Sequence, residues 1–216
     1  MHTNKDKNTV EEKLLISLYP KLYHMAVLDS HQGIKANGLL STRALLDLYG
    51  IKGKRRKKLL CERRDRIVKI ENPNLPHPAY LRDQKPMNDE KLRKVLKNGM
   101  LPCQWYELLN GKVFFWLTKN RLHRMIKAYH GHQHLLLVLN TKKLVEDYSE
   151  KIWLSPMNSG CTKPFPHPRD ENTFSKIENY PWEKRKNKGI DNVVAELCVD
   201  DKVENVEKYI EAAFRT

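Results

Sequence analysis

Val193-Val194-Ala195-Glu196-Leu197-Cys198-Val199 is an apolar run broken once, by a carboxylate. Its length and β-branched residues predict a strand. Alternation along it sets Val194, Glu196 and Cys198 on one face and Val193, Ala195, Leu197 and Val199 on the other. An ionisable group there either faces water from a sheet edge or is buried with a partner, because an unpaired buried charge is too costly. Residue statistics alone favour the edge. A glutamate buried in a cleft is instead a functional candidate. Cys198 reads as core.

Outward from this strand, residues 156–192 are rich in Pro, Asn, Lys and Gly and read as irregular. Further strands are predicted at 21–28 (KLYHMAVL), 113–118 (VFFWLT), 135–140 (LLLVLN) and 151–155 (KIWLS). A helix is predicted over 10–19, where Thr9 and Glu12 have capping-box spacing. Others run from Asp29 or Ser30 to Asn37-Gly38 and from Ser41 or Thr42 to Gly50. Helical segments are also read at 54–69, 88–98, 105–109, 120–129 and 141–148, with a final amphipathic helix at 203–214. Pro73, Pro76, Pro78 and Pro86 make 72–87 a long loop. Short strands between helices and loops, without regular βα alternation, predict one α+β domain over 1–216. An N-terminal helix lies within 1–19, and the core covers about 20–214.

The formal charge of +14 is uneven. Residues 52–69 hold ten basic side chains against Glu62 and Asp65, a local excess of +8. Lys54, Arg55, Arg56, Lys57, Lys58, Arg63 and Arg64 are the candidate nucleic-acid-binding residues; a solvated helix face has the same composition. A second basic cluster is EKRKNK at 183–188. Cys61, Cys103, Cys161 and Cys198 form no CxxC pair, which argues against a zinc ribbon and suggests reduced thiols of a cytoplasmic protein. No apolar run is long enough to span a bilayer, and the polar start MHTNKDKNTVEEK predicts no secretory signal. His130, His132 and His134 alternate, but no carboxylate or thiol lies near them in sequence, so no metal is expected. Trp105, Tyr106 and Trp153 read as core, and Asn158-Ser159-Gly160 as a polar turn.

The segment LYHMAVLDSHQGIKANGLLST (22–42) resembles the first motif of the DarT-like and RNA 2′-phosphotransferase-like branches of the ADP-ribosyltransferase superfamily. That motif is a strand ending in Tyr-His, a short helix, then Gly-Leu-hydrophobic-Ser. VVAELCVDDKV is similar to the superfamily's late Ala-Glu strand, and VFFWLT and LLLVLN fit the middle of the same fold. The whole looks closest to a bacterial family sharing RDQKPM, WYELLN, VFFW, NSG and the AEL strand, over about residues 20–211.

The resemblance implies a single domain with a split, mixed β-sheet core and peripheral helices. It implies NAD as ADP-ribose donor, with Glu196 as the catalytic carboxylate. His24 and Tyr23 would lie in the cofactor site, Gly38 and Leu39 would shape it, and Phe114, Phe115 or Trp116 would flank nicotinamide. Arg82 and Arg169 are the candidate counterparts of the DarT arginine, Arg82 beside the catalytic carboxylate and Arg169 on the cofactor. The DarT threonine two residues after the histidine is Ala26 here. The acceptor implied is a nucleic acid, DNA before RNA, in a toxin or defence effector with an antitoxin protein as partner. The alternatives are a protein or small-molecule acceptor, or a non-catalytic nucleotide- or nucleic-acid-binding module.

Overall fold

Strand β6 (His134–Asn140) is apolar on both faces and needs a partner on each edge. It has β1 (Lys21–Val27) on one side and β10 (Ile210–Arg215) on the other, both antiparallel. Strand β8 (Glu196–Asp200) is likewise central, between β5 (Lys112–Phe115) and β7 (Ile152–Ser155). The structure, a computed structural model, describes residues 8–216; the first seven residues of the polar start lie outside the described part. Two small ladders complete the strands, β2 (Leu39–Leu40) with β9 (Lys202–Val203) and β3 (Val68–Ile70) with β4 (Ala79–Leu81). The helices in chain order are α1 (Val10–Leu18), α2 (His31–Asn37), α3 (Thr42–Leu48), α4 (Gly53–Cys61), α5 (Asp89–Val95) and α6 (Pro102–Asn110). They continue with α7 (Lys119–Ala128), α8 (Thr141–Tyr148), α9 (Trp182–Arg185) and α10 (Ile190–Val193).

Local rules account for many boundaries. Thr9 and Glu12 exchange the two bonds of the capping box that starts α1. Ser41, Asn88, Thr118 and Asn140 accept from the first turns of α3, α5, α7 and α8. Gly38 ends α2 at φ 78°, where a Cβ would meet the Val203 carbonyl oxygen at 2.2 Å. Only glycine lets β2 approach β9 so closely.

The main core lies between the two three-stranded sheets, with Leu22, Leu137, Leu139, Phe115, Leu154 and Leu197 all buried. A satellite core of Leu46, Tyr49, Leu60, Ile70 and Leu81 gathers α3, α4 and the β3–β4 hairpin. The sheets touch at one antiparallel bridge, where Tyr23 and Trp116 exchange backbone hydrogen bonds of 2.8 Å.

Several expectations need correction. Every pair of strands is antiparallel, not mixed. The segment 203–214 is not a helix. It supplies β9, a short 3-10 turn and β10, because the open edge of β6 offers a full ladder to whatever chain lies beside it. The basic helix ends at Cys61, not 69, and its Leu59 carbonyl accepts from Arg64 Nη1 at 2.6 Å. The Pro-rich loop contains β4, and the strand around Glu196 begins three residues after Val193, which closes α10.

Candidate active site

Where the two sheets diverge beyond the Tyr23–Trp116 bridge, a cavity of about 320 Å³ opens between them and the satellite core. His24, Phe114, Trp116, Arg82, Ser159 and Glu196 all reach it. Volume and mixed lining are those of a small-ligand site.

Glu196 begins the central strand β8 and is only 3% exposed. It is not an edge residue. The Ser159 N–H and hydroxyl both donate to its Oε2, at 2.9 and 2.6 Å. Ser159 stands in the Asn158-Ser159-Gly160 turn, all three members of which reach the cavity. Burial pushes the Glu196 carboxyl up to about 7, against the opposing effects of the Ser159 bonds and the more distant Arg121 and Arg169. Neutral donors hold the group in place without fully compensating its charge.

His24 extends from β1 on the opposite wall. Its Nδ1 lies 2.9 Å from the Phe114 carbonyl oxygen, which can only accept. The ring proton therefore resides on Nδ1, and Nε2 is left as an acceptor. Burial lowers the imidazole to about 4, outweighing the stabilising bond to Phe114, so the ring is neutral at physiological pH.

Arg82 follows β4 in the Pro-rich segment. Its Nη2 donates to the Met25 carbonyl at 3.3 Å and its guanidinium lies 4.9 Å from the Tyr129 ring centroid. Among the described residues its Nη1 is buried and has no hydrogen-bond partner. A buried cationic donor left unsatisfied costs stability.

The structure thus brings Glu196, His24, Arg82, Phe114, Gly38 and Leu39 to one cavity. It does not bring Tyr23, Phe115 or Arg169 there. Tyr23 points to the other face of β1, against Leu122, Tyr129 and Leu136. Phe115 is turned into the main core. Arg169, 2% exposed, donates to the carbonyls of His167, Ser159 and Cys161, so it shapes the loop that carries Ser159. Of the basic candidates, Lys54, Arg55, Lys57, Lys58 and Arg63 are exposed. Arg56 is partly covered and pairs with Asp47 at 2.8 Å. Arg64 is not available to an external partner. It is 7% exposed, lines the cavity wall and donates to the Arg82 and Leu59 carbonyls and to Asn110 Oδ1. Ser159 was read from sequence only as part of the polar Asn158-Ser159-Gly160 turn, not as the residue that holds Glu196.

An α+β domain with a cavity lined by a buried carboxylate and a neutral histidine is the class these observations define. Residues 20–210 match the model of DUF7002, a family of unknown function, and the chain belongs to that family. No curated protein matches it. Among the described residues, no helix is long and apolar enough to cross a membrane.

Proposed function

We propose that this protein is an NAD-dependent mono-ADP-ribosyltransferase that modifies a nucleic acid, DNA in preference to RNA. The observation that carries the reading is that Glu196 and His24, from the two motifs that resemble the superfamily, face one cavity. Breaking the bond between nicotinamide and ribose C1′ develops positive charge on the ribose, as in glycoside hydrolysis. Both Ser159 bonds fall on Oε2 of Glu196, so Oε1 is the oxygen that accepts from the ribose 2′-hydroxyl and faces the growing cation. Nicotinamide departs with the bonding electron pair, the acceptor attacks C1′, and the acceptor's proton passes to Glu196 or to water. A carboxyl poised near neutrality suits that exchange.

Arg82, in the cavity wall, supplies positive charge for the pyrophosphate or for the acceptor's phosphate, and Phe114 and Trp116 supply apolar wall for nicotinamide. His24 Nε2 accepts from a donor on the cofactor. The exposed face of α4 carries Lys54, Arg55, Lys57 and Lys58, and the chain runs from it to Arg64 in the cavity wall. This continuity favours a polyanionic acceptor over a neutral small molecule. A toxin or defence role in the cytoplasm, with an antitoxin protein as partner, accords with such an acceptor.

The test is to incubate the protein with NAD and a pool of DNA, RNA and protein, and to search the products by mass spectrometry. A mass increase of one ADP-ribose on DNA is expected, absent with Glu196→Ala. ADP-ribose confined to protein would retain the enzyme class and sink the acceptor assignment.

A further inference from the structure

The satellite core contains a cluster of side chains that the cavity chemistry does not use. Cys61 ends α4, and Cys103 and Glu107 stand one turn apart on one face of α6. Far apart in sequence, they meet where α4 packs on α6. The two sulfurs and a Glu107 carboxylate oxygen lie within 4.8 Å of one another, and the Cys61 thiol donates to Glu107 Oε1 at 3.1 Å. All three are soft or anionic donors when deprotonated. Arg43 Nη2 donates to the Glu107 backbone carbonyl at 3.1 Å, not to its carboxylate.

We propose that Cys61, Cys103 and Glu107 bind a thiophilic divalent cation of the zinc class, with water as the fourth ligand. Two thiolates and a carboxylate are a donor set zinc accepts, and a tetrahedral site with bonds of about 2.3 Å sets its ligand atoms about 3.8 Å apart. Side-chain movements of about 1 Å therefore close the triangle around an ion. Magnesium and calcium prefer all-oxygen sites, so the two thiols select against them. Binding releases the thiol protons to solvent and joins α4 to α6. Arg64 follows Cys61 closely and bonds the Arg82 carbonyl, so the ion would fix the part of the cavity wall that positions Arg82. The inference stands independently of what the cavity binds. It also revises the expectation of no metal, which rested on sequence spacing alone.

The experiment is a titration of the reduced, chelator-treated full chain with Cd(II), followed by the ultraviolet thiolate-to-metal charge-transfer band, and then with Zn(II) in competition. One equivalent should give the band, and Zn(II) should remove it. Cys103→Ser should lose at least half of its amplitude, and Cys161→Ser should leave it unchanged. Glu107→Gln, a partly exposed change that preserves shape, should retain circular dichroism and weaken Zn(II) binding at least tenfold. Absence of a stoichiometric band, a band unchanged by Cys103→Ser, or Zn(II) affinity unchanged by Glu107→Gln overturns the proposal.

Discussion

Glu196 and Asp200 stand at the two ends of β8 on the same face, yet they are held in opposite ways. Asp200 accepts from the Lys112 ammonium at 2.5 Å and from Trp153 Nε1 at 2.6 Å. Lys112 is 6% exposed and also lies 4.8 Å from the Trp153 ring centroid, so a nearly buried cation is fully answered by its acid. Glu196 is more deeply buried and, among the described residues, its carboxylate has only the neutral Ser159 as hydrogen-bond partner. One strand therefore carries a closed ion pair at one end and, at the other, a carboxylate whose charge is left for something else to answer. The first arrangement stabilises a fold; the second costs stability and leaves binding capacity facing a cavity.

The largest effect that sharpens this contrast is on stability against pH. The folded-state carboxyl of Glu196 is raised from 4.5 to about 7, so the folded chain binds that proton more tightly than the unfolded chain. The stability from this group is fully present below 4.5 and is lost as pH rises through 7. Glu196→Gln removes that loss. Relative to the wild type, its unfolding free energy should rise by about 3 kcal/mol between pH 4.5 and 8, measured by urea denaturation. A difference that does not change with pH would contradict the buried, charge-deficient carboxylate. His24 acts in the opposite direction. Its depressed basicity means that its contribution is present above 6.5 and lost as pH falls through about 4.

At the other end of the strand, Asp200→Asn leaves the Lys112 ammonium without its acid. A loss of about 2 kcal/mol is expected at pH 7, moderated by the partial exposure of Asp200. Calorimetry that finds no loss would show the pair to be incidental. A smaller change comes from Ser159→Ala, which removes the 2.6 Å hydroxyl bond to Glu196 and keeps the backbone donor. About 1 kcal/mol should be lost at pH 8, and the Glu196 carboxyl should titrate higher still, read from its infrared carbonyl band against pH. An unmoved band would remove Ser159 as the positioning residue.

Only the Glu196 side of this contrast was marked in the sequence, and the physical limits are instructive. A single carboxylate in an apolar strand marked Glu196, and the helix read at 141–148 coincides with α8, whose first turn Asn140 caps in the structure. Burial of Glu196 was not legible, since it depends on β5 and β7 flanking β8, and those pairings are set by distant segments. The final segment misled because Val203, Val206 and Tyr209 fall at helical spacing, whereas the unpaired edge of β6 decides the outcome. Arg64 was read as ligand-binding from the basic run it belongs to, and Arg169 from the family resemblance. Both instead donate to backbone carbonyls, Arg64 to one in the last turn of α4 and Arg169 to one in the Ser159 turn, a need that sequence does not display.

The most direct measurement of the central claim is nicotinamide release from NAD by the purified chain, compared with Glu196→Ala in the same buffer. If Glu196 stabilises the ribosyl cation, the wild type releases nicotinamide and the variant, with its fold verified by circular dichroism, does so at least 100-fold more slowly, about 3 kcal/mol in barrier. Equal release by the two proteins, or none by either with DNA and RNA present, would contradict the account.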